Sequence, residues 1–224
     1  MTKKLKIIFW VLLIAMSVFA AAALCAILIF ENIIGQTSGE SAKLSEWNLI
    51  LVNNDYYIPK GYDIELFELS NGQKVDERIY PDLQDMFDDM RSEGVYPFVR
   101  EGYRTAGEQK DIIREMIMDK LSQGLSPVDA YNSTRSIAAA VGNSEHQLGL
   151  AVDINADLDK STAWDVYNWL DANAWKYGFI LRYPPDKTEI TEVAYEPWHY
   201  RYVGKTAAKE IHERGICLEE YLDS

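Results

Sequence analysis

The chain reads as an α+β protein: a central antiparallel sheet flanked by helices, in a single domain behind an N-terminal transmembrane helix. Three observations predict this. Strand-like segments are separated by runs of helices, without the strict strand–helix alternation of a parallel sheet. One such segment closes on Asn71-Gly72, a hairpin turn. Residues 7–30 form an uncharged run of 24 with one hydroxyl, Ser17, where about 20 apolar residues span a bilayer core.

The elements follow in order. Residues 31–46 are rich in Gly, Ser, Thr and Glu and read as a linker, with the domain at 47–224. Residues 49–52 are a short apolar run before Asn53-Asn54, the pattern of a strand and turn. Residues 64–69 are strand-like and lead into the hairpin. In 81–91, Leu83, Met86, Phe87 and Met90 make one apolar stripe at helical spacing, with Pro81 in the first turn and Gly94 at the exit. Phe98-Val99 is a short strand. Thr105 and Glu108 form a capping box for a second helix to about Gln123. Ser126-Pro127 opens a third helix to about Ala140. A polar loop (142–149) precedes an apolar strand at 150–154. A Trp-rich helix (162–176) ends at Gly178, strands follow at 179–181 and 200–203, and 205–214 is a helix.

Charge narrows the function classes. The net charge is −13, and the only basic cluster is Lys3, Lys4 and Lys6, ahead of the apolar run. With those three set aside, 22 basic residues fall to 19 against 35 acidic ones, a net of −16. Such a body repels nucleic acid and anionic lipid surfaces. The lysine flank places residues 1–6 in the cytoplasm by the positive-inside rule, the anchor at 7–30, and the domain outside the cell membrane. A cleavable signal peptide is the alternative, with Ala20–Ala23 as its small-residue site; the apolar run continuing past Ala23 favours the anchor. Leu24 makes Cys25 a poor lipidation site, and Cys217, alone in the domain, has no intrachain disulfide partner.

Chemistry concentrates in two stretches, 144–153 and 196–203, which hold two of the three histidines, each near a carboxylate. Two imidazoles, a ligating carboxylate and a spare carboxylate are the inventory of a catalytic zinc site. Gly149 lets the loop turn so that His146 and Asp153 can converge. Asp153 lies in an apolar strand, where a carboxylate is costly to bury without a cation or hydrogen bonds. On the two-residue period it shares a face with Ala151, so a solvent-facing Asp153 is the competing reading. His199 follows Glu196 by three residues; the bland alternatives are a packed His and an edge-strand Glu. Arg104, at a helix entrance, either points into a cleft or makes a surface ion pair. His212, in the last turn of a charged helix, reads as solvated.

At these residues the chain resembles the VanY-type D-alanyl-D-alanine carboxypeptidases, zinc peptidases of the lysostaphin, D-Ala-D-Ala peptidase and hedgehog fold group. The pattern S-x-H-x-x-G-x-A-x-D runs from Ser144 to Asp153, and E-x-W-H from Glu196 to His199, followed by Arg201-Tyr202-Val203. Tyr103-Arg104-Thr105 matches Y-R-[ST], with Gln109 where a glutamine is usual, and 177–184 is also similar. Glu192 departs from the glycine common in relatives. The resemblance implies Zn2+ held by His146, Asp153 and His199, with a fourth position open for water. It implies Glu196 as general base and Arg104 as the donor to a developing oxyanion or to the substrate carboxylate. Ser144, Gln109 and Trp198 would contact the peptide. The implied activity is removal of the terminal D-alanine from peptidoglycan stem peptides. An L,D-carboxypeptidase acting on tetrapeptide stems, a phage-type endopeptidase and a non-catalytic hedgehog-like binding module are the alternatives. Oligomeric state is not legible.

Overall fold

The computed structural model describes residues 3–43 and 46–223. Met1 and Thr2 of the expected cytoplasmic segment, Leu44 and Ser45 of the expected linker, and Ser224 lie outside the described residues, as do the side chains of Lys4 and Lys6.

The chain divides into two units, Met1–Gln36 and Thr37–Ser224. The first is a helix, α1 (Lys3–Ile34). Its 23-residue stretch Leu12–Ile34 is long and apolar enough to cross a membrane. At 1.5 Å per residue it reaches about 35 Å, against a hydrocarbon core of about 30 Å.

The second unit begins inside the segment read as linker: β1 (Glu40–Ser41) pairs in parallel with β2 (Tyr56–Tyr57). β3 (Leu66–Glu68) and β4 (Lys74–Asp76) form the expected hairpin, with Gly72 at φ 83°. α2 (Tyr80–Ser92) buries Leu83, Met86, Phe87 and Met90, the predicted stripe. β5 (Pro97–Glu101) follows, then α3 (Ala106–Ser122), whose capping box joins Thr105 and Glu108. After α4 (Pro127–Arg135) come β6 (Ala151–Ala156), α5 (Ala163–Asn173), β7 (Phe179–Leu181) and α6 (Thr188–Thr191). β8 (His199–Tyr202), α7 (Lys205–Arg214) and α8 (Leu218–Leu222) complete the order.

The central sheet runs β5-β6-β8-β7, with every pairing antiparallel. Its two faces are distinct. Val152 and Ile154 of β6, and Tyr200 and Tyr202 of β8, join Leu83, Met86 and Met90 in the main core. Asp153 and His199 face the other way and are direct register partners. A β-bulge between Val99 and Glu101 redirects β5 as it passes Asp153.

Two sequence expectations about element extent fail. Residues 49–52 form no strand. Arg201 Nη2 donates to the carbonyls of Asn48 at 3.2 Å and Ile50 at 2.9 Å, so the Ile50 acceptor serves a buried guanidinium and not a neighbouring strand. The third helix stops at Arg135 rather than near Ala140: Ile137 N and Ala138 N both turn back to the Thr134 carbonyl, and the chain beyond leaves the helix with the Ala139 carbonyl accepting from Gln109 Nε2 at 2.8 Å. Short helices α6 and α8 were not anticipated.

The polar loop contains a 3-10 turn, Glu145–Leu148, ended by Gly149 at φ 70°. The Gly149 carbonyl accepts from Asp76 N at 3.0 Å, and a Cβ there would meet Ile64 Cδ1. The left-handed backbone alone costs an L-residue about 1–2 kcal/mol. Gly149→Ala is therefore expected to lower domain stability by at least about 1 kcal/mol, read as a shift in the urea midpoint at unchanged slope.

Candidate functional site

Antiparallel register makes Asp153 and His199, 46 residues apart, direct neighbours. Asp153 Oδ1 lies 3.0 Å from His199 Nδ1 and 3.4 Å from His146 Nε2. The three ligand atoms all fall within 4.8 Å of one another. Tetrahedral zinc at 2.0–2.2 Å from its donors separates them by roughly 3.3 Å. Donor chemistry and spacing therefore fit such an ion.

Each imidazole has its outer nitrogen fixed. His146 Nδ1 sits 2.8 Å from the Gly102 carbonyl, which keeps Nε2 inward. His199 Nε2 sits 3.3 Å from Glu145 Oε2, which keeps Nδ1 inward. Metal-binding histidines are commonly oriented by such outer partners. Burial, with the Arg104 charge, pushes the His146 pKa down. At His199 burial acts the same way but is overruled by hydrogen bonds to Asp153 and Glu145, which lift it to about 9. Burial would raise Asp153; the facing imidazoles hold it well below the ordinary carboxylate range.

Glu145 was missed in the sequence, where it is an unremarkable residue between Ser144 and His146. In the fold it is 2% exposed and receives Arg182 Nε at 2.7 Å and Arg201 Nη1 at 2.8 Å on one oxygen. Arg182 continues to both carboxylate oxygens of Glu219, at 2.9 and 2.6 Å. Both arginines are fully buried. Burial works against ionising Glu145, but the two guanidinium charges overrule it and hold its pKa far down. The signal was available: Arg182 and Arg201 both occur in otherwise apolar strand segments, and such cations require buried anions.

The remaining expected residues border the same open cleft of about 190 Å³, whose wall includes Arg104, Gln109, Ser144, Glu196 and Trp198 beside the two histidines and Asp153. Arg104 is tied in twice: its backbone N donates to the His146 carbonyl at 3.2 Å, and Nη1 donates to Gln109 Oε1 at 2.8 Å. Burial lowers its pKa, against the pull of Glu101 and Asp153. Glu196 Oε2 lies 3.9 Å from His199 Nδ1, and burial raises the Glu196 pKa against the attraction of His199. Trp198 is partly exposed at the cleft, and Ser144 is buried. His212 lies elsewhere, exposed and stacked on Trp175 at 4.7 Å. Glu192 takes φ 58°, the left-handed backbone that favours glycine, and its carboxylate accepts from Asn54 Nδ2 at 3.0 Å.

Removing Glu145 leaves two buried guanidinium groups short of their shared anion. Glu145→Ala is expected to cost about 3–5 kcal/mol in chemical denaturation. Glu145→Gln should cost less, since an amide oxygen still accepts one of the arginines.

Comparison with known proteins agrees with this geometry. The family model described as VanY, D-alanyl-D-alanine carboxypeptidase, matches residues 72–205. A D-alanyl-D-alanine carboxypeptidase of Enterococcus faecalis (strain ATCC 700802 / V583) is 53% identical over 188 residues, 84% of this chain and 70% of that protein. A structure of a mutant of the vancomycin-resistance D,D-pentapeptidase VanY of the VanB-type cassette, in complex with Zn(II), superposes with a TM-score of 0.77 at 55% identity. It covers 79% of this chain and 99% of that one. VanYB in complex with D-alanine-D-alanine gives 0.78 at 55% identity, covering 80% and 99%. The chain belongs to the VanY D-alanyl-D-alanine carboxypeptidase family.

Proposed function

We propose that this protein is a zinc-dependent D,D-carboxypeptidase that removes the terminal D-alanine from peptidoglycan stem peptides. The observation that carries the reading is the convergence of His146 Nε2, Asp153 Oδ1 and His199 Nδ1 at zinc-compatible spacing beside a spare carboxylate. The relative that binds D-alanine-D-alanine, at 55% identity, supports the substrate class.

In this reading His146, Asp153 and His199 hold the ion. When bound, zinc supplies Lewis acidity and makes water acidic enough to lose a proton near neutral pH. Glu196 accepts that proton as the water oxygen adds to the peptide carbonyl carbon. It returns the proton to the departing amine nitrogen as the C–N bond breaks. Arg104 donates to the developing oxyanion or to the terminal carboxylate of the peptide; its bond to Gln109 fixes the guanidinium plane. Ser144 hydrogen-bonds the peptide and Trp198 walls it, whereas Gln109, buried and bonded to both Arg104 and the Ala139 carbonyl, acts by holding Arg104. Glu145 holds His199 in one tautomer from behind.

The lysines at the start of α1, ahead of the span Leu12–Ile34, support an uncleaved anchor in the cell membrane with the domain outside, where stem peptides are. Protease added to intact cells should then remove the domain and leave α1 with the membrane; a domain protected until lysis would reverse the orientation.

Incubating the protein with penta- and tetrapeptide stems and weighing the products tests the activity. Release of one D-alanine from the pentapeptide, abolished by chelator, is expected. Release from the tetrapeptide alone would assign L,D specificity, and release from neither would overturn the enzyme reading. Glu196→Gln should keep zinc by metal analysis and lose hydrolysis by several powers of ten. His146→Ala should lose zinc; an unchanged metal content would refute the ligand set.

A further inference from the structure

Among the described residues, two buried side-chain nitrogens lack any hydrogen-bond partner: Arg104 Nε and Arg135 Nη1. Both arginines border the same cleft. Arg104 is accounted for by the reaction. Arg135, at the end of α4, is not.

Arg135 Nη2 donates to Ser38 Oγ at 3.0 Å and to Asn54 Oδ1 at 3.4 Å. Both acceptors are neutral; the Glu192 carboxylate is joined to this network only through Asn54 Nδ2, at 3.0 Å, and makes no ion pair with Arg135 among the described residues. A half-buried cation with spare donors is costly unless an anion reaches it. It also stands out in a body with nearly twice as many acidic as basic residues. Its supports are fixed: Asn143, next to Ser144, accepts from Ser38 N at 2.8 Å and donates to the carbonyls of Ser38 and Asn53 at 2.9 and 2.7 Å. The guanidinium is thus anchored to the loop that carries His146.

The two arginines line one cleft but are tied to different parts of its wall. Arg104 bonds Gln109, and Gln109 bonds the Ala139 carbonyl, four residues past Arg135. Arg104 also contacts the loop at His146, whereas the bonds of Arg135 go to Ser38 and Asn54.

We propose that Arg135 is a second anion-binding point, which takes a carboxylate carried by the peptide on the N-terminal side of the bond cut, while Arg104 serves the reacting end. This rests on the carboxypeptidase reading above. The ligand class is a peptide ending in D-Ala-D-Ala with a free acidic group upstream, such as the α-carboxylate of a γ-linked glutamyl residue.

The test compares two pentapeptides, Ala-γ-Glu-Lys-D-Ala-D-Ala, with that α-carboxylate free or converted to the carboxamide, on the full chain in detergent. The wild type should show a KM about tenfold lower for the free acid at similar kcat, the scale of one charge-assisted hydrogen bond. Arg135→Gln should raise the free-acid KM to the carboxamide value, leave the carboxamide KM unchanged, and retain zinc and melting temperature. Arg135→Lys should keep part of the preference. Equal wild-type KM values would overturn the assignment without any variant, as would a preference surviving in Arg135→Gln. Wild-type cleavage of neither peptide would sink the carboxypeptidase reading, and this one with it.

Discussion

The site depends on the register between β6 and β8. Because Asp153 pairs with His199, a carboxylate and an imidazole from distant stretches meet across one strand spacing. The same register sets Arg201 opposite Ala151, where a small residue leaves room for a guanidinium to turn toward Glu145. A slip of one residue would send Asp153 into the core and Val152 into the cleft. Val152, Ile154, Tyr200 and Tyr202, buried on the opposite face, fix the pairing. Apolar packing on one side of the sheet therefore specifies the polar geometry on the other.

That polar geometry is stiff for an electrostatic reason. Glu145, Arg182, Arg201 and Glu219 form an alternating set of two anions and two cations, with both arginines fully buried. Burying such a set gains little net stability against well-packed apolar residues, but breaking it is expensive. Its position explains its presence: Glu145 touches His199, so the cluster fixes one ring nitrogen and leaves the other facing Asp153. The charges orient an imidazole more than they hold the fold together.

Much of this was legible in the chain. Helical stripes and caps located α2, α3 and α5 because those signals are local. The three ligand candidates, Glu196 and Arg104 stood out because ionisable residues in apolar or motif-bearing stretches are conspicuous. Glu145 did not, since a glutamate in a polar loop looks ordinary until two distant arginines are seen to converge on it. The segment at 49–52 misled for the same reason: its apolar content says buried, but only Arg201, some 150 positions later, determines that the Ile50 carbonyl faces a side chain rather than a neighbouring strand. Contacts between remote positions leave no periodicity to read.

Glu219 is supplied by α8, later in the chain than every ligand and every other member of the charge cluster. A ribosome makes the chain from the other end, and domains fold as their parts appear. Until α8 is in place, Arg182 lacks the anion that offsets its charge, and the grip of Glu145 on His199 is shared with an arginine seeking a second partner. The four-charge cluster, and with it the full clamp on the His199 ring, closes only once α8 has joined the fold.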